Sequence, residues 1–132
     1  MPGGASAVTS GDQLKKEVVA LGNTLELDAR TEVKVAKRIW GSDRRIDVVL
    51  THRDSRKTLG IECKYQAVAG TAEEKVPTTI QDMAAWPIPG LLVFDGPGFT
   101  DNMKAFLIST GKAVELSDLE PWLRLFFGLD VQ

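Results

Sequence analysis

Residues 46–66 have the sequence IDVVLTHRDSRKTLGIECKYQ, and this segment sets the architecture that the rest of the chain must fit. Residues 46–51 and 58–65 alternate and are rich in Val, Ile and Leu, so each predicts a β-strand. The charged segment RDSRK between them is typical of a turn. If the hairpin bends at residues 54–55, Val48 lies opposite Ile61 and Asp47 lies opposite Glu62. The segment therefore predicts an antiparallel hairpin with a defined register.

The two faces of this hairpin differ in character, because side chains alternate between the faces of a strand. One face is apolar and is expected to be buried: Ile46, Val48, Leu50, Leu59, Ile61, Cys63 and Tyr65. The opposite face collects Asp47, Val49, Thr51, Gly60, Glu62, Lys64 and Gln66. On this pattern Cys63 is a core residue and not a nucleophile.

The second face carries two opposed carboxylates. The Cβ atoms of Asp47 and Glu62 would lie roughly 5 Å apart, and like charges so placed destabilise a sheet. A divalent cation would compensate, because Mg²⁺ is commonly held by one or two carboxylates with phosphate and water. Lys64 is on the same face and could contact a phosphate or an attacking water. The alternative interpretation is a surface Asp–Glu–Lys ion cluster on a half-exposed sheet.

The hairpin motif resembles the signature of the PD-(D/E)XK nuclease superfamily, the restriction-endonuclease-like fold. Ile46-Asp47 is followed, after fourteen residues, by Glu62-Cys63-Lys64, and Ile46 stands where the signature has Pro. The motif is short and degenerate, so the order of elements over residues 12–117 also carries the resemblance. The resemblance implies an α/β fold with an αβββαβ core and a mixed central sheet flanked by helices. A C-terminal strand and helix are added to that core.

The resemblance also implies roles for the motif residues. In the family the Asp and the Glu bind the metal and the Lys assists the nucleophilic water, which assigns these roles to Asp47, Glu62 and Lys64. We expect the backbone carbonyl of Cys63 to complete a Mg²⁺ site in which Mn²⁺ can substitute. Gln66, on the same face, could orient the water.

Glu17 is a further candidate ligand on the first predicted helix. It flanks an apolar stripe formed by Leu14, Val18 and Leu21. In many members of the family a Glu on the first helix reaches the metal site, and Glu17 matches that position. The alternative is a carboxylate at the edge of an amphipathic helix, and the sequence leaves both open.

The composition indicates one globular domain. A chain of 132 residues is long enough for one core and too short for two. We expect residues 1–11 to be a disordered leader, residues 12–132 to be the single domain, and Asp12 to cap its first helix. The single cysteine excludes an intrachain disulfide and fits a reducing cytosol. The chain has no apolar run of transmembrane length and no signal peptide.

Basic residues are concentrated around the motif. The net charge is −2, yet residues 30–57 hold nine of the sixteen lysines and arginines, so the distribution is compatible with DNA binding. The expected phosphate contacts are Lys34, Arg38, Arg44, Arg45, Arg53, Arg56 and Lys57.

The last predicted helix, which opens at Ser117, is unusually apolar. It carries Leu119, Trp122, Leu123, Phe126 and Phe127. Such a helix either covers the sheet or forms part of a homodimer interface, for which Trp122, Phe126 and Phe127 are the candidates.

The leading functional hypothesis is a cytoplasmic, Mg²⁺-dependent DNA endonuclease of prokaryotic or phage origin. Residues 71–82 are similar to the segment that follows E-x-K in some phage and restriction-type nucleases. A homodimer is expected, and a protein partner that supplies specificity is compatible with so small a chain. The alternatives are a nuclease-fold module that binds DNA without turnover, and a small-molecule- or protein-binding α/β domain. No Walker loop, zinc-ligand spacing or Ser–His–Asp arrangement is present, and His52 fits a solvated turn residue better than a catalytic base.

Overall fold

The computed structural model describes residues 8–37, 43–69 and 71–130, without the side chains of residues 36–37, 43–44 and 71–74. The elements are α1 (Gly11–Thr24), β1 (Asp28–Lys37), β2 (Asp43–Thr51), β3 (Thr58–Tyr65), α2 (Thr71–Ala84), β4 (Gly90–Asp95), α3 (Asp101–Ser109), β5 (Ala113–Glu115) and α4 (Leu119–Phe127). A short 3-10 helix, Leu116–Asp118, leads into α4. This order confirms the predicted α/β fold and its αβββαβ core.

The five strands form one mixed sheet in the order β1-β2-β3-β4-β5. The first three are antiparallel, while β4 and β5 run parallel to β3. Val48 pairs with Ile61 and Thr51 pairs with Thr58, which confirms the hairpin register. Because α2 connects the parallel strands β3 and β4, it crosses one face of the sheet.

Helices cover both faces of the sheet. On one face, α1 and α4 pack on the apolar side of the hairpin, where Val48, Leu50, Leu59 and Ile61 are completely buried. On the other face, α2 and α3 enclose a second core that includes Phe94, which is also completely buried. Cys63 and Tyr65 pack on the first core, as their position in the strand predicts.

The terminal helix covers the sheet. Phe127 is only 5% exposed and belongs to the core, so its predicted part in an exposed dimer surface is wrong. Trp122 and Phe126 stack with ring centroids 5.2 Å apart and pack against the same core. Leu125 is the exposed apolar residue of this helix, with 76% of its surface accessible.

The first helix begins two residues earlier than predicted. Ser10 is its N-cap, and the Ser10 hydroxyl accepts a hydrogen bond from the Gln13 amide at 3.1 Å, so Asp12 is a first-turn residue and not the cap. Residues 1–7 of the predicted leader lie outside the described residues. Within the described part of the chain, no helix is both long and apolar enough to cross a membrane.

A tight glycine loop follows β4 and packs on the end of β3. The Gly98 amide donates to the Gln66 carbonyl at 2.8 Å, and the Gln66 amide donates to the Asp95 carbonyl at 3.1 Å. Gly96 has a φ of +117°, and a Cβ there would lie 2.3 Å from the Gln66 carbonyl oxygen. Only glycine fits at this position, and the loop thereby fixes the chain directly beyond Lys64.

We expect Gly96→Ala to be more destabilising than Gly111→Ala. Gly111 also has a positive φ, of +70°, but a Cβ there meets no atom within 4 Å. The Gly111 variant should cost about 1 kcal/mol from backbone strain alone, whereas the Gly96 variant adds a backbone clash and should cost at least about 3 kcal/mol. Urea denaturation of both variants tests this, and equal losses would contradict the described loop.

Candidate active site

The backbone pairing of β2 and β3 ends at the two motif carboxylates. The last paired residues are Val48 and Ile61, and the next positions on each strand are Asp47 and Glu62. Beyond this point the Cys63 amide donates to the Asp47 carboxylate at 2.9 Å instead of to a backbone carbonyl of β2. A side chain thus takes the place of a backbone acceptor, and we call the region between the strands beyond Val48 and Ile61 the gap.

This hydrogen bond shows that the backbone amide of Cys63 faces the gap. The amide and carbonyl of one residue in an antiparallel strand point toward the same neighbouring strand. Because the Cys63 amide faces Asp47, the Cys63 carbonyl also faces β2. The gap therefore combines a carboxylate from β2 with a backbone carbonyl from β3, and both are oxygen donors of the kind that hard divalent cations prefer.

Glu62 is held in a poorly solvated position beside Asp47. Its Oε1 atom is buried and has no hydrogen-bond partner among the residues that the structure describes. Burial, reinforced by the negative charge of Asp47 and by a side-chain hydrogen bond with Asp47, raises the pKa of Glu62 from its ordinary value of 4.5 to about 7. The positive charge of Lys64 and the backbone amide of Asp47 act in the opposite direction without cancelling that rise. A buried carboxylate oxygen without a partner is costly, so a proton or a cation bound at this atom would be stabilising.

Lys64 lies on the same side of β3 as Glu62, two residues along the strand. Its side chain is half-buried, and its charge acts on Glu62. Cys63, between them, is directed to the first core, and burial raises the pKa of its thiol. The thiol is therefore protonated at neutral pH and does not serve as a nucleophile.

Glu32 and Lys15, which were not among the predicted site residues, lie near Asp47 on the β1 side, away from Glu62. In β1, Thr31 pairs with Val48 and Val33 pairs with Ile46. Glu32 lies between them and is therefore opposite Asp47. Its φ of +52° is in the left-handed region, which a glutamate rarely adopts. The Glu32 carboxylate binds Lys15 of α1, with Nζ and Oε2 2.9 Å apart. Only the register of β1 against β2 could have indicated this pair, and no local motif marks it.

A family model for a PD-(D/E)XK nuclease superfamily domain matches residues 6–122 of the chain, which is most of its length. The chain belongs to the PD-(D/E)XK nuclease superfamily. The match extends from the start of α1 into α4, so it includes the whole sheet and both halves of the motif. No curated protein sequence is significantly similar to the chain.

Solved structures share the fold of this superfamily member. A crystal structure of a protein of unknown function matches with a TM-score of 0.52 and 21% identity, covering 78% of this chain and 56% of that one. A repair endonuclease from Pyrococcus abyssi matches with a TM-score of 0.43 and 13% identity, covering 84% of this chain and 50% of that one. The first likeness concerns the fold alone, and the second is too low to support an argument. The chain spans about half the length of each of these proteins.

The PD-(D/E)XK motif residues meet at the gap, but two other candidates are placed differently. Glu17 lines a small cavity near the start of α1 with Val8, Gln13 and Lys16. Among the described residues, no three Asp, Glu, His or Cys side chains come together as a metal cluster. The role of Glu17 as a third metal ligand stays a prediction. Gln66 is 9% exposed and lies under the glycine loop. Its predicted role in orienting water stays a prediction.

The expected DNA contacts separate into two groups. Lys34 and Arg45 are paired across β1 and β2, toward the site end of the hairpin, and both are exposed. Arg53, Arg56 and Lys57 are at the opposite end, beyond Thr51, and therefore roughly 13 Å or more along the strands from Asp47. Arg38 lies outside the described residues, as does the Arg44 side chain.

Two of the three basic residues at this far end, Arg53 and Lys57, have side-chain partners within the chain. Arg53 forms an ion pair with Asp28 at 2.7 Å. Lys57 donates to the Phe126 carbonyl at 2.6 Å and lies 4.3 Å from the centre of the Phe126 ring. Of the basic residues expected around the gap, Arg53 and Lys57 are thus held at the opposite end of the hairpin.

The donors at the gap fit a divalent cation. Asp47 and Glu62 supply two carboxylates, the Cys63 carbonyl supplies a third oxygen, and the buried Oε1 of Glu62 lacks a partner. A cation bound there would neutralise the repulsion between the carboxylates and satisfy that atom. The chemistry of the donor set therefore matches the metal site expected for a PD-(D/E)XK protein.

We expect the stability of the metal-free protein to fall as the pH rises from about 4.5 to about 7. Because the folded-state pKa of Glu62 is raised to about 7, the folded state holds a proton that the unfolded state has released, and stability decreases with pH across this window. Thermal unfolding in EDTA, compared between wild type and Glu62→Gln, isolates this effect. The wild type should lose more stability than the variant over this window. Parallel pH profiles would contradict the buried environment of Glu62.

Proposed function

We propose that this protein is a Mg²⁺-dependent DNA endonuclease that hydrolyses phosphodiester bonds at the gap between β2 and β3. The observation that carries the proposal is the buried Oε1 of Glu62, which lies beside a second carboxylate and has no partner among the described residues. A purely structural ion cluster would satisfy that atom with a basic side chain. Family membership supports a nuclease, and the donors in the gap support the metal.

The residues around the gap suit the proposed chemistry. Asp47, Glu62 and the Cys63 carbonyl would hold Mg²⁺, with Mn²⁺ able to substitute. The bound ion would activate a water and stabilise the charge that develops on the phosphate. Lys64, beside Glu62, would position or deprotonate the attacking water. The hydrogen bond from the Cys63 amide holds Asp47 in place before substrate arrives, and that preorganisation lowers the cost of assembling the site.

Replacing the proposed catalytic residues should remove cleavage and leave the fold intact. Asp47→Asn, Glu62→Gln and Lys64→Met should each reduce the rate of Mg²⁺-dependent DNA cleavage by at least about a hundredfold, since each removes a charge that acts on the reacting phosphate or water. Cleavage of linear and branched DNA substrates, with circular dichroism to verify folding, measures this.

Glu120→Gln is the matched control for these substitutions. Glu120 is an exposed carboxylate of α4 that pairs with Arg124, so its variant should cleave at the wild-type rate. Wild-type cleavage by a folded Asp47→Asn or Glu62→Gln protein would contradict the assigned site. DNA binding without cleavage by the wild type, at any divalent metal concentration, would instead favour the non-catalytic DNA-binding module.

The proposed DNA path runs over the site end of the hairpin. Lys34 and Arg45 are exposed there and supply positive charge for phosphates that flank the gap. Arg56 lies at the far end and could contact a duplex only beyond the cleaved step. The cytoplasmic location and the partner protein that supplies specificity both stay predictions.

A homodimer is part of this proposal, because cleavage of both strands of a duplex calls for two sites. Since Phe127 is buried, the apolar surface that α4 offers is centred on Leu125. We expect Leu125→Glu to abolish self-association without unfolding the protein, because the side chain is 76% exposed. Light scattering of both proteins, with and without DNA, tests this. A wild-type monomer at high concentration in both conditions would contradict the dimer.

A further inference from the structure

The side chain of Lys15 brings a positive charge near Asp47, one member of the carboxylate pair. Lys15 projects from α1, which packs against β1, β2 and β3, and its amino group is 2.9 Å from the Glu32 carboxylate. Glu32 is opposite Asp47 across β1 and β2. The pKa of Lys15 is raised, chiefly by its hydrogen bond to Glu32 and further by the negative charge of Asp47. Lys15 is thus close enough for its charge to act on the proposed metal ligand.

Such a cation can compete with a metal ion. Two adjacent carboxylates attract any nearby positive charge, and an ammonium group on a four-carbon stem can turn toward them. A Lys15–Asp47 ion pair would satisfy part of the negative charge and weaken the site for a divalent cation. In the structure Lys15 is bonded to Glu32 instead, and only 25% of its side chain is exposed.

The backbone of Glu32 supports a specific role for this contact. Its φ of +52° is unfavourable for a residue with a side chain, and such strain persists only where the surroundings enforce it. The Glu32 side chain reaches Lys15 from this strained position, in the segment of β1 that faces Asp47.

We propose that Glu32 is a positioning residue that holds Lys15 away from Asp47 and thereby keeps the carboxylate pair available to the divalent cation. The inference rests on the proposed function, because it concerns the metal affinity of the same site. It makes Lys15 a built-in competitor of the metal and Glu32 the residue that sets the strength of that competition.

The proposal requires opposite effects from the two halves of the ion pair. Glu32→Gln frees Lys15 to approach Asp47, so Mn²⁺ should bind more weakly. Lys15→Gln removes the competitor and leaves an unpaired carboxylate nearby, so Mn²⁺ should bind more tightly. Each shift should be about three- to tenfold, as expected for one unit charge near a partly exposed divalent site, and the shifts should shrink at high salt. The double variant should return toward wild-type affinity.

Calorimetric titration of the folded proteins with Mn²⁺ alone tests this without any measurement of cleavage. The control pair is Glu120 and Arg124 of α4, whose 51% and 21% exposed side chains match the 47% and 25% of Glu32 and Lys15. Glu120→Gln and Arg124→Gln should leave Mn²⁺ affinity unchanged.

The outcomes separate the inference from the proposed function. If the wild type binds Mn²⁺ but Glu32→Gln and Lys15→Gln shift the affinity in the same direction, or not at all, the pair is only structural and the inference is overturned. If the wild type binds no Mn²⁺, the proposed function fails and the inference fails with it. A merely structural salt bridge would lower the stability of both variants without giving affinity shifts of opposite sign.

Discussion

The hydrogen bond from the Cys63 amide to the Asp47 carboxylate is the interaction on which the site depends. A continuous hairpin would pair these strands through their backbones and leave no space between them. By replacing one backbone acceptor with a carboxylate, the chain opens a gap while still satisfying the amide. The same bond fixes the Asp47 side chain and directs the Cys63 carbonyl toward β2. The Asp47 side chain therefore interrupts the backbone pairing and also brings two oxygen donors together, its own carboxylate and the Cys63 carbonyl.

This arrangement has an energetic cost that the rest of the fold must support. Burial and the nearby charge of Asp47 raise the pKa of Glu62, and one Glu62 oxygen has no partner among the described residues. The compensation comes from two buried cores, one on each side of the sheet, which pack against the strands that carry these residues. Ligand-binding sites are often locally unfavourable before the ligand binds, and the well-packed surroundings keep them folded.

Residues 46–66 alone predicted the hairpin, its register and its two faces, because strand alternation and a polar turn leave few other pairings. The gap was not predictable, since a period-two pattern assumes backbone pairing and cannot anticipate a side chain that accepts an amide. Lys15 and Glu32 were missed because their meeting depends on the rotation of α1 and on the register of β1. Arg53 and Lys57 were also expected near the site, because they are close to Asp47 in sequence. In the structure they lie at the opposite end of the hairpin, since the strand separates them from Asp47.

The central claim is that Asp47, Glu62 and the Cys63 carbonyl together form one cation site. Anomalous diffraction from crystals grown with Mn²⁺ tests it directly, because the signal locates the ion without reference to activity. We expect one strong peak in the gap, about 2.0–2.3 Å from an oxygen of each of the three residues, with the ion as the partner of the Glu62 carboxylate. A peak elsewhere, or an empty gap at saturating Mn²⁺ with the Glu62 carboxylate unchanged, would contradict it.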